Sequence, residues 1–435
     1  MPHVLQRPAL HFTPQRGWIN DPNGLLWDGT RYHLFAQHNP HDVVWGPMHW
    51  LHATSGDMLH WREVGIALYP DEIGAMFSGS AAKLADGRMA LMYTAHGERE
   101  QQCVAFSKDG FCFEKYGANP VIRNEKLKDF RDPKLFWNRI RGCWSAVIAA
   151  GDHVEFYCSD DLIDWRKTGA FIPTGKHRGE LFECPDLLFL QTPEGEPVAV
   201  LTASMIFRGE ETGCRMQAFL GGFDGDSFHQ TQSTELLRLD VGYDSYAGVT
   251  FAGLEEPVLM NWMSATSCPL PTAGYCGCLS LPRGLRLVRA DGALRLAQTP
   301  VLPPYAWEAA GEALPQGAFA LRLRAGGPFA LELLDEAGAA ALRVWADEAG
   351  RLCTTRRQSD AFAPDSCYNR DGYRMTYIPR AVSGPIEVIV ICDGYCVEIF
   401  ADAGTYAHGL LVFPEGKWAR LNCTEANRLE LARLS

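Results

Sequence analysis

A short frame, Ser-x-Asp-x-x-x-aromatic, recurs along the first half of the chain and constrains its fold more than any other feature. It stands at Ser55 to Trp61, Ser107 to Phe113 and Ser159 to Trp165, with a weaker copy from Gly222 through Asp224 to Phe228. The closing aromatics lie 52, 52 and 63 residues apart. Each copy follows a strand-like run (Trp50 to Thr54, Cys103 to Phe106, Val154 to Cys158, Gln217 to Leu220), so the frame reads as strand, polar turn, next strand. A period of roughly 50 to 60 residues, filled with short strands and lacking a helical pattern, predicts propeller blades. A fifth segment opens at Asp244-Ser245-Tyr246-Ala247 and runs to about residue 300, which makes five blades.

The stretch Trp18-Ile19-Asn20-Asp21-Pro22-Asn23-Gly24 packs an acid, two amides, a proline and a glycine between apolar segments. Taken alone it reads as a turn. Two related groupings, Arg131-Asp132-Pro133 and Glu183-Cys184-Pro185, stand downstream at the entrances of strand-like segments. Asp21 precedes its blade's turn residue Asp57 by 36 positions, Asp132 precedes Asp161 by 29, Glu183 precedes Asp224 by 41, and Ser80 precedes Asp109 by 29. All four fall near the start of a blade, where the first strand lines the central axis, and so are expected to converge on one pocket.

Pro300, Pro303 and Pro304 break the pattern, which divides the chain into a propeller over 1–300 and a second domain over 306–435. Beyond the break, Ala320 to Arg324, Ala341 to Trp345 and Leu429 to Leu434 alternate with the period of two that half-buried strands show. Ile386 to Cys392 and Cys396 to Phe400 flank Asp393-Gly394, a dipeptide suited to a tight hairpin. These strands predict a β-sandwich without chemistry of its own. The fold class is therefore all-β, a five-bladed β-propeller followed by a C-terminal β-sandwich.

Charge and cysteine content narrow the partners. The net charge of −12 and the absence of Lys/Arg blocks argue against nucleic acid and anionic membranes, whereas 12 Trp, 14 Tyr and 22 Phe suit a small neutral carbohydrate. The 14 Cys are scattered through apolar runs and contain no C-x-x-C pair, as expected of buried, reduced thiols. With no apolar leader and no run of 18 apolar residues, the expectation is a cytoplasmic protein. His49 and His52 form an H-x-x-H spacing without further ligands, so neither a metal nor a cofactor is expected.

Trp18 to Gly24, Phe77-Ser78-Gly79-Ser80-Ala81, Arg131-Asp132-Pro133 and Glu183-Cys184-Pro185, in this order, resemble the signature blocks of the glycoside hydrolase family 32 β-fructosidases. Tyr32 to Pro40, Trp45 to Trp50, Asp244 to Ala247 and Val397 to Phe400 support the resemblance, which covers nearly the whole chain. It implies the propeller and sandwich already read from the repeats. It further implies Asp21 as nucleophile on a fructofuranosyl unit, Glu183 as general acid and base, and Asp132 as transition-state stabiliser. Such a retaining mechanism needs two carboxyl groups about 5 Å apart, one ionised and one protonated. The remaining pocket residues it implies are Asn20, Gln37, Ser78 and Arg131 for hydroxyls, and Trp45, Phe77 and Trp262 as walls of the furanose ring. By themselves Trp45 and Trp262 would read as core, and Arg131 as the partner of a carboxylate.

The activity implied is exo-acting release of terminal fructose from sucrose, sucrose 6-phosphate or a short fructo-oligosaccharide. Lys176-His177-Arg178, in a Gly-bounded loop before Glu183, could hold a phosphate, although charged loops are more often merely solvated. Departures from the family wording at Ala36, Ser245 and Gly248 concern substrate preference. Two alternatives stand beside this reading: a non-catalytic sugar-binding propeller, and a related furanosidase acting on another substrate such as an arabinan. The oligomeric state is not specified by the sequence.

Overall fold

The computed structural model describes residues 5–434 except 174–180, 208–212, 232–236, 264–269, 363–365 and 381–382. Within these, the first 300 residues form five sheets whose first strands are Gly17–Trp27, Ala75–Lys83, Arg131–Asn138, Leu181–Gln191 and Ser245–Thr250. Each first strand packs beside the next, and the last returns to the first, so the ring closes. A short strand, Tyr275–Cys276, pairs in parallel with Gly17 and Trp18 and ties the end of the ring to its beginning.

The predicted frame is a repeated turn between the third and fourth strands of four blades. Asp57, Asp109, Asp161 and Asp224 each use Oδ1 to accept two successive backbone N–H groups, two and three residues ahead, at 2.8 to 3.0 Å. Ser55, Ser107 and Ser159 donate their hydroxyls to the same carboxylates at 2.9 to 3.0 Å. The residue that follows the aspartate is left-handed in every copy: Met58 (φ 65°), Gly110 (76°), Leu162 (68°) and Gly225 (98°). Where the residue is not glycine, a tryptophan caps the turn, with Trp61 Nε1 donating to Met58 O and Trp165 Nε1 to Leu162 O at 2.8 and 2.9 Å.

Blades bury both faces against their neighbours, which is why middle strands such as Met89–His96 and Cys143–Ala149 read as apolar runs instead of alternating. Five apolar clusters fill the five gaps. Phe35 and Trp50 meet Met76 and Leu91 between blades one and two; Met92 and Val104 meet Leu135 and Ile148 between two and three. Val147 and Phe156 meet Phe182 and Leu201 between three and four, Val200 and Met216 meet Leu259 and Leu285 between four and five, and Trp18 and Leu34 meet Val249 and Met260 at the closure.

After the last blade strand, Ala293–Pro300, the chain enters two packed sheets of six and five strands. The predicted alternating segments lie in Phe319–Ala325, Ala340–Ala346 and Arg428–Arg433, with Leu321, Leu323, Leu342, Val344 and Leu431 turned into the sandwich core. One detail differs from the sequence reading. The hairpin loop is Gly394-Tyr395, because Asp393 still pairs with Cys396. Asp393 instead turns its carboxylate onto the N-terminal segment, accepting from the N–H groups of Ala9, Leu10 and His11 at 2.7 to 2.9 Å.

His11 is the hub of a buried charge network between propeller and sandwich. Its ring reaches Asp393 at 2.9 Å and Glu398 at 3.0 Å, and Glu398 also receives Arg283, which pairs with Asp240. Burial pushes the pKa of His11 down, but the hydrogen bonds and charges of the two carboxylates outweigh it and raise the value to about 10. Folding therefore gains fully from the protonated ring below the ordinary value of 6.5 and loses that gain as pH rises through about 10. The expected result is a thermal midpoint that falls between pH 7 and pH 10, with a flatter decline in His11→Asn. Removing the ring in His11→Ala should cost about 3 to 5 kcal/mol in chemical denaturation at pH 7, as for one partner lost from a buried ion pair.

Candidate active site

Each of the five inner strands breaks its ladder near the same end. The register shifts fall between Ile19 and Pro22, between Phe77 and Gly79, at Asp132-Pro133, between Glu183 and Asp186, and between Tyr246 and Val249. A bulge leaves residues unpaired and re-aims their side chains. Proline, which has no N–H to give, is tolerated at such places, which accounts for Pro133 and Pro185. Asp132, Cys184 and Ala247 take φ of 62°, 45° and 56° there. The stretch around Asp21 is thus not a turn, as its composition alone suggests, but a doubly bulged segment inside the 11-residue strand Gly17–Trp27. At Ser78-Gly79 the strand runs so close to its neighbour that a Cβ on Gly79 would lie 2.0 Å from Met92 O.

The bulges open on one cavity of about 280 Å³ at the axis. All ten residues named from the sequence line it: Asn20, Asp21 and Gln37 with Trp45 from blade one, Phe77 and Ser78 from blade two, Arg131 and Asp132 from blade three, Glu183 from blade four and Trp262 from blade five. Ser80, which shares their phase, does not. Its Oγ donates to Pro133 O and accepts from Leu135 N, stitching blade two to blade three. The His pair also has other work: His52 stacks on Phe35 and contacts His33, and His49 bonds Pro47 O. Lys176 and Arg178 lie outside the described residues.

Asp21 is held by three neighbours. Asn20 Nδ2 donates to Oδ1 at 3.0 Å, Ser78 Oγ donates to Oδ2 at 2.5 Å, and Cys184 Sγ lies 3.6 Å from Oδ2. Trp18 Nε1 in turn fixes the Asn20 amide at 2.9 Å. Asp132, only 5% exposed, receives the Cys184 N–H at 2.8 Å while its own N–H donates to Thr94 Oγ1. Glu183 keeps 19% of its side chain accessible and is gripped on both oxygens: Arg131 Nη1 donates to Oε1 at 2.8 Å and the Tyr246 hydroxyl to Oε2 at 2.6 Å. Arg131 is itself anchored by Glu100, whose two oxygens accept from Nε at 2.9 and 3.0 Å, and by Asp129.

Among the described residues, three carboxyl groups share this enclosure with one guanidinium. Burial raises all three pKa values. The donors Ser78, Asn20 and Cys184 oppose the rise at Asp21; Arg131 opposes it at Asp132, against the charges of Glu183 and Asp21; Arg131 and Tyr246 oppose it at Glu183, against Asp21. Arg131 stays charged, because Asp132, Glu100 and Glu183 outweigh its desolvation. The walls are aromatic: Trp45, 54% exposed at the mouth, meets Phe77 edge-on at 6.2 Å, and Trp262, 8% exposed, meets Trp18 at 5.9 Å. Such a site offers carboxyl groups able to occupy different protonation states beside an apolar shelf for a sugar ring.

Three contributors carry no role in the sequence reading. Tyr246 stands in the quoted blade-five opening and Trp18 in the first block, so their phase signals them; a buried cysteine such as Cys184 has no pattern of its own.

Residues 11–300 match the model of the glycosyl hydrolases family 32 N-terminal domain. Levanase of Bacillus subtilis (strain 168) is 38% identical over 317 residues, 68% of this chain and 47% of that protein, so the chain spans about half of its length. Raffinose invertase of Escherichia coli is 32% identical over 469 residues, covering 97% of this chain and 92% of its own. The structure of the Schwanniomyces occidentalis fructofuranosidase complexed with fructose superposes with a TM-score of 0.88 at 25% identity, covering 100% of this chain and 99% of the other. With the matched domain spanning all five blades and a 32%-identical relative covering 97% of the chain, the protein belongs to family 32 of the glycosyl hydrolases.

Proposed function

We propose that the chain is a retaining, exo-acting β-fructosidase that releases terminal fructose from sucrose, sucrose 6-phosphate or a short fructo-oligosaccharide. One observation carries the reading: carboxyl groups from blades one, three and four meet in a single aromatic-walled cavity, two of them, Asp21 and Glu183, stay partly accessible, and Glu183 is paired with a cation and a phenol. The relatives are named for levan and for raffinose, which differ in what is attached to fructose, so the leaving group is the variable part.

In the first half-reaction, an Asp21 oxygen forms a bond to the anomeric carbon of the fructosyl unit as the bond from that carbon to the leaving oxygen breaks. The proton of Glu183 moves to the leaving oxygen. In the second, water attacks the same carbon, its proton returns to Glu183, and the Asp21 carboxylate departs. The donors on Asp21 steady its ionised form, and Asp132 accepts hydrogen bonds from sugar hydroxyls. The Tyr246 oxygen serves both states of Glu183, donating to the carboxylate and accepting from the acid.

Asp21→Asn is expected to lower kcat by about three orders of magnitude or more, and Glu183→Gln by a similar factor with sucrose, since both groups act in the transition state. Fructose release measured by coupled assay decides this, and near-normal turnover in both variants would remove the assignment. Activity needs Glu183 protonated, so it declines as pH rises through that residue's raised pKa. Tyr246→Phe deletes a bond that lowers this pKa, and the alkaline limb of the kcat/KM profile should therefore move to higher pH. Initial rates on sucrose, sucrose 6-phosphate and 1-kestose compared side by side assign the leaving group. Absence of fructose from all three would favour a non-catalytic propeller or a furanosidase of other specificity.

A further inference from the structure

His96 belongs to no motif named above, yet it touches both halves of the site. It ends the second strand of blade two, Met89–His96, and faces Glu100 across a three-residue hairpin loop. One face of its ring lies on Phe77, the wall residue, with centroids 3.9 Å apart and planes within 2°. Its Nδ1 sits 3.1 Å from Glu100 Oε1. A carboxylate only accepts, so Nδ1 carries the proton and donates. Glu100 also takes the Phe130 N–H at 2.8 Å and both bonds from Arg131 Nε, and Arg131 continues to Glu183. The backbone that carries the ring packs closely against Ile73 and Gly74. A Cβ on Gly74 would lie 2.3 Å from the His96 carbonyl carbon, and one on Gly97 would lie 2.1 Å from Ile73 O.

We propose that His96 is a positioning residue that couples the aromatic wall of the sugar pocket to the cation beside the acid–base carboxyl. Through its ring face it backs Phe77 and fixes the shelf on which the furanose rests. Through Nδ1 it occupies part of Glu100, which divides that carboxylate between His96, Phe130 N and Arg131. Without the Nδ1 bond, Glu100 concentrates on Arg131, and Arg131, already shared with Asp129, exerts less pull on Glu183. One side chain thus serves two separable tasks. The inference rests on the fructosidase reading above.

Two variants separate the tasks, and with 43% of the side chain exposed neither should impair folding. His96→Phe keeps a stacked ring and drops the donor; His96→Asn keeps a donor near the Nδ1 position and drops the ring. With sucrose as substrate, His96→Phe is expected to leave KM within about twofold and to shift the alkaline limb of kcat/KM upward by about half a pH unit, as a weakened opposite charge does. His96→Asn is expected to raise KM about fivefold or more, through loss of the contact backing Phe77, and to keep the wild-type pH profile. Thermal midpoints are recorded alongside. Variants that match the wild type in KM and pH profile overturn the inference, as do variants that share one uniform loss of kcat accompanied by a lowered midpoint. A wild-type protein that releases no fructose overturns the fructosidase reading instead, and the coupling role with it.

Discussion

Five sheets can stand round an axis only if each covers both its faces with its neighbours, and the ring has to close for the last face to be covered. That requirement explains most of the molecule. It gives the middle strands their unbroken apolar runs, distributes the core over five separate clusters, and sends Tyr275–Cys276 across to pair with Gly17 and Trp18. It also creates the site. Inner strands crowd together at the axis, and each relieves its ladder by a bulge near the same end, where side chains that would otherwise face a neighbouring blade are aimed at the centre.

The chemistry of the centre follows from how few positive charges it admits. Among the described residues, Arg131 is the only guanidinium lining the cavity that holds Asp21, Asp132 and Glu183, and its hydrogen bonds are divided among Glu100, Asp129 and Glu183. Burial outweighs this cation at all three carboxyl groups and raises their pKa values, the direction in which a general acid has to move. A few residues lower, Lys134 pairs with Asp186 and bonds Thr250, joining blades three, four and five beneath the cavity. The pairing there is one cation to one carboxylate, whereas among the described residues the pairing above it is one cation to three carboxyl groups.

The repeat was legible because its physics is local: an aspartate that accepts two nearby N–H groups needs only its neighbours, and the same seven residues rebuild the same turn wherever they occur. The three carboxylates were legible through phase, since each stands near the start of a blade, whereas the other pocket residues were legible only through the resemblance to family 32. What phase could not distinguish was direction. Ser78 and Ser80 lie two residues apart, but the bulge between Phe77 and Gly79 sends one to Asp21 and the other to the blade-three backbone. Asn20-Asp21-Pro22-Asn23-Gly24 has the composition of a turn because bulges and turns draw on the same residues. Tyr246 and His96 act through bonds to Glu183 and Glu100 that bring distant strands together, and no spacing within one strand records such a partner.

The parallel pairing that closes the ring also sets the order in which the chain can become an enzyme during synthesis. Asp21 leaves the ribosome well before Tyr275 and Cys276, so its strand lacks that edge partner until they emerge, and the cavity lacks Trp262 and Tyr246 until the fifth blade is made. The first carboxyl group of the cavity to be made is consequently among the last to be enclosed, and a nascent chain of four blades carries its carboxylates without the chamber that tunes them.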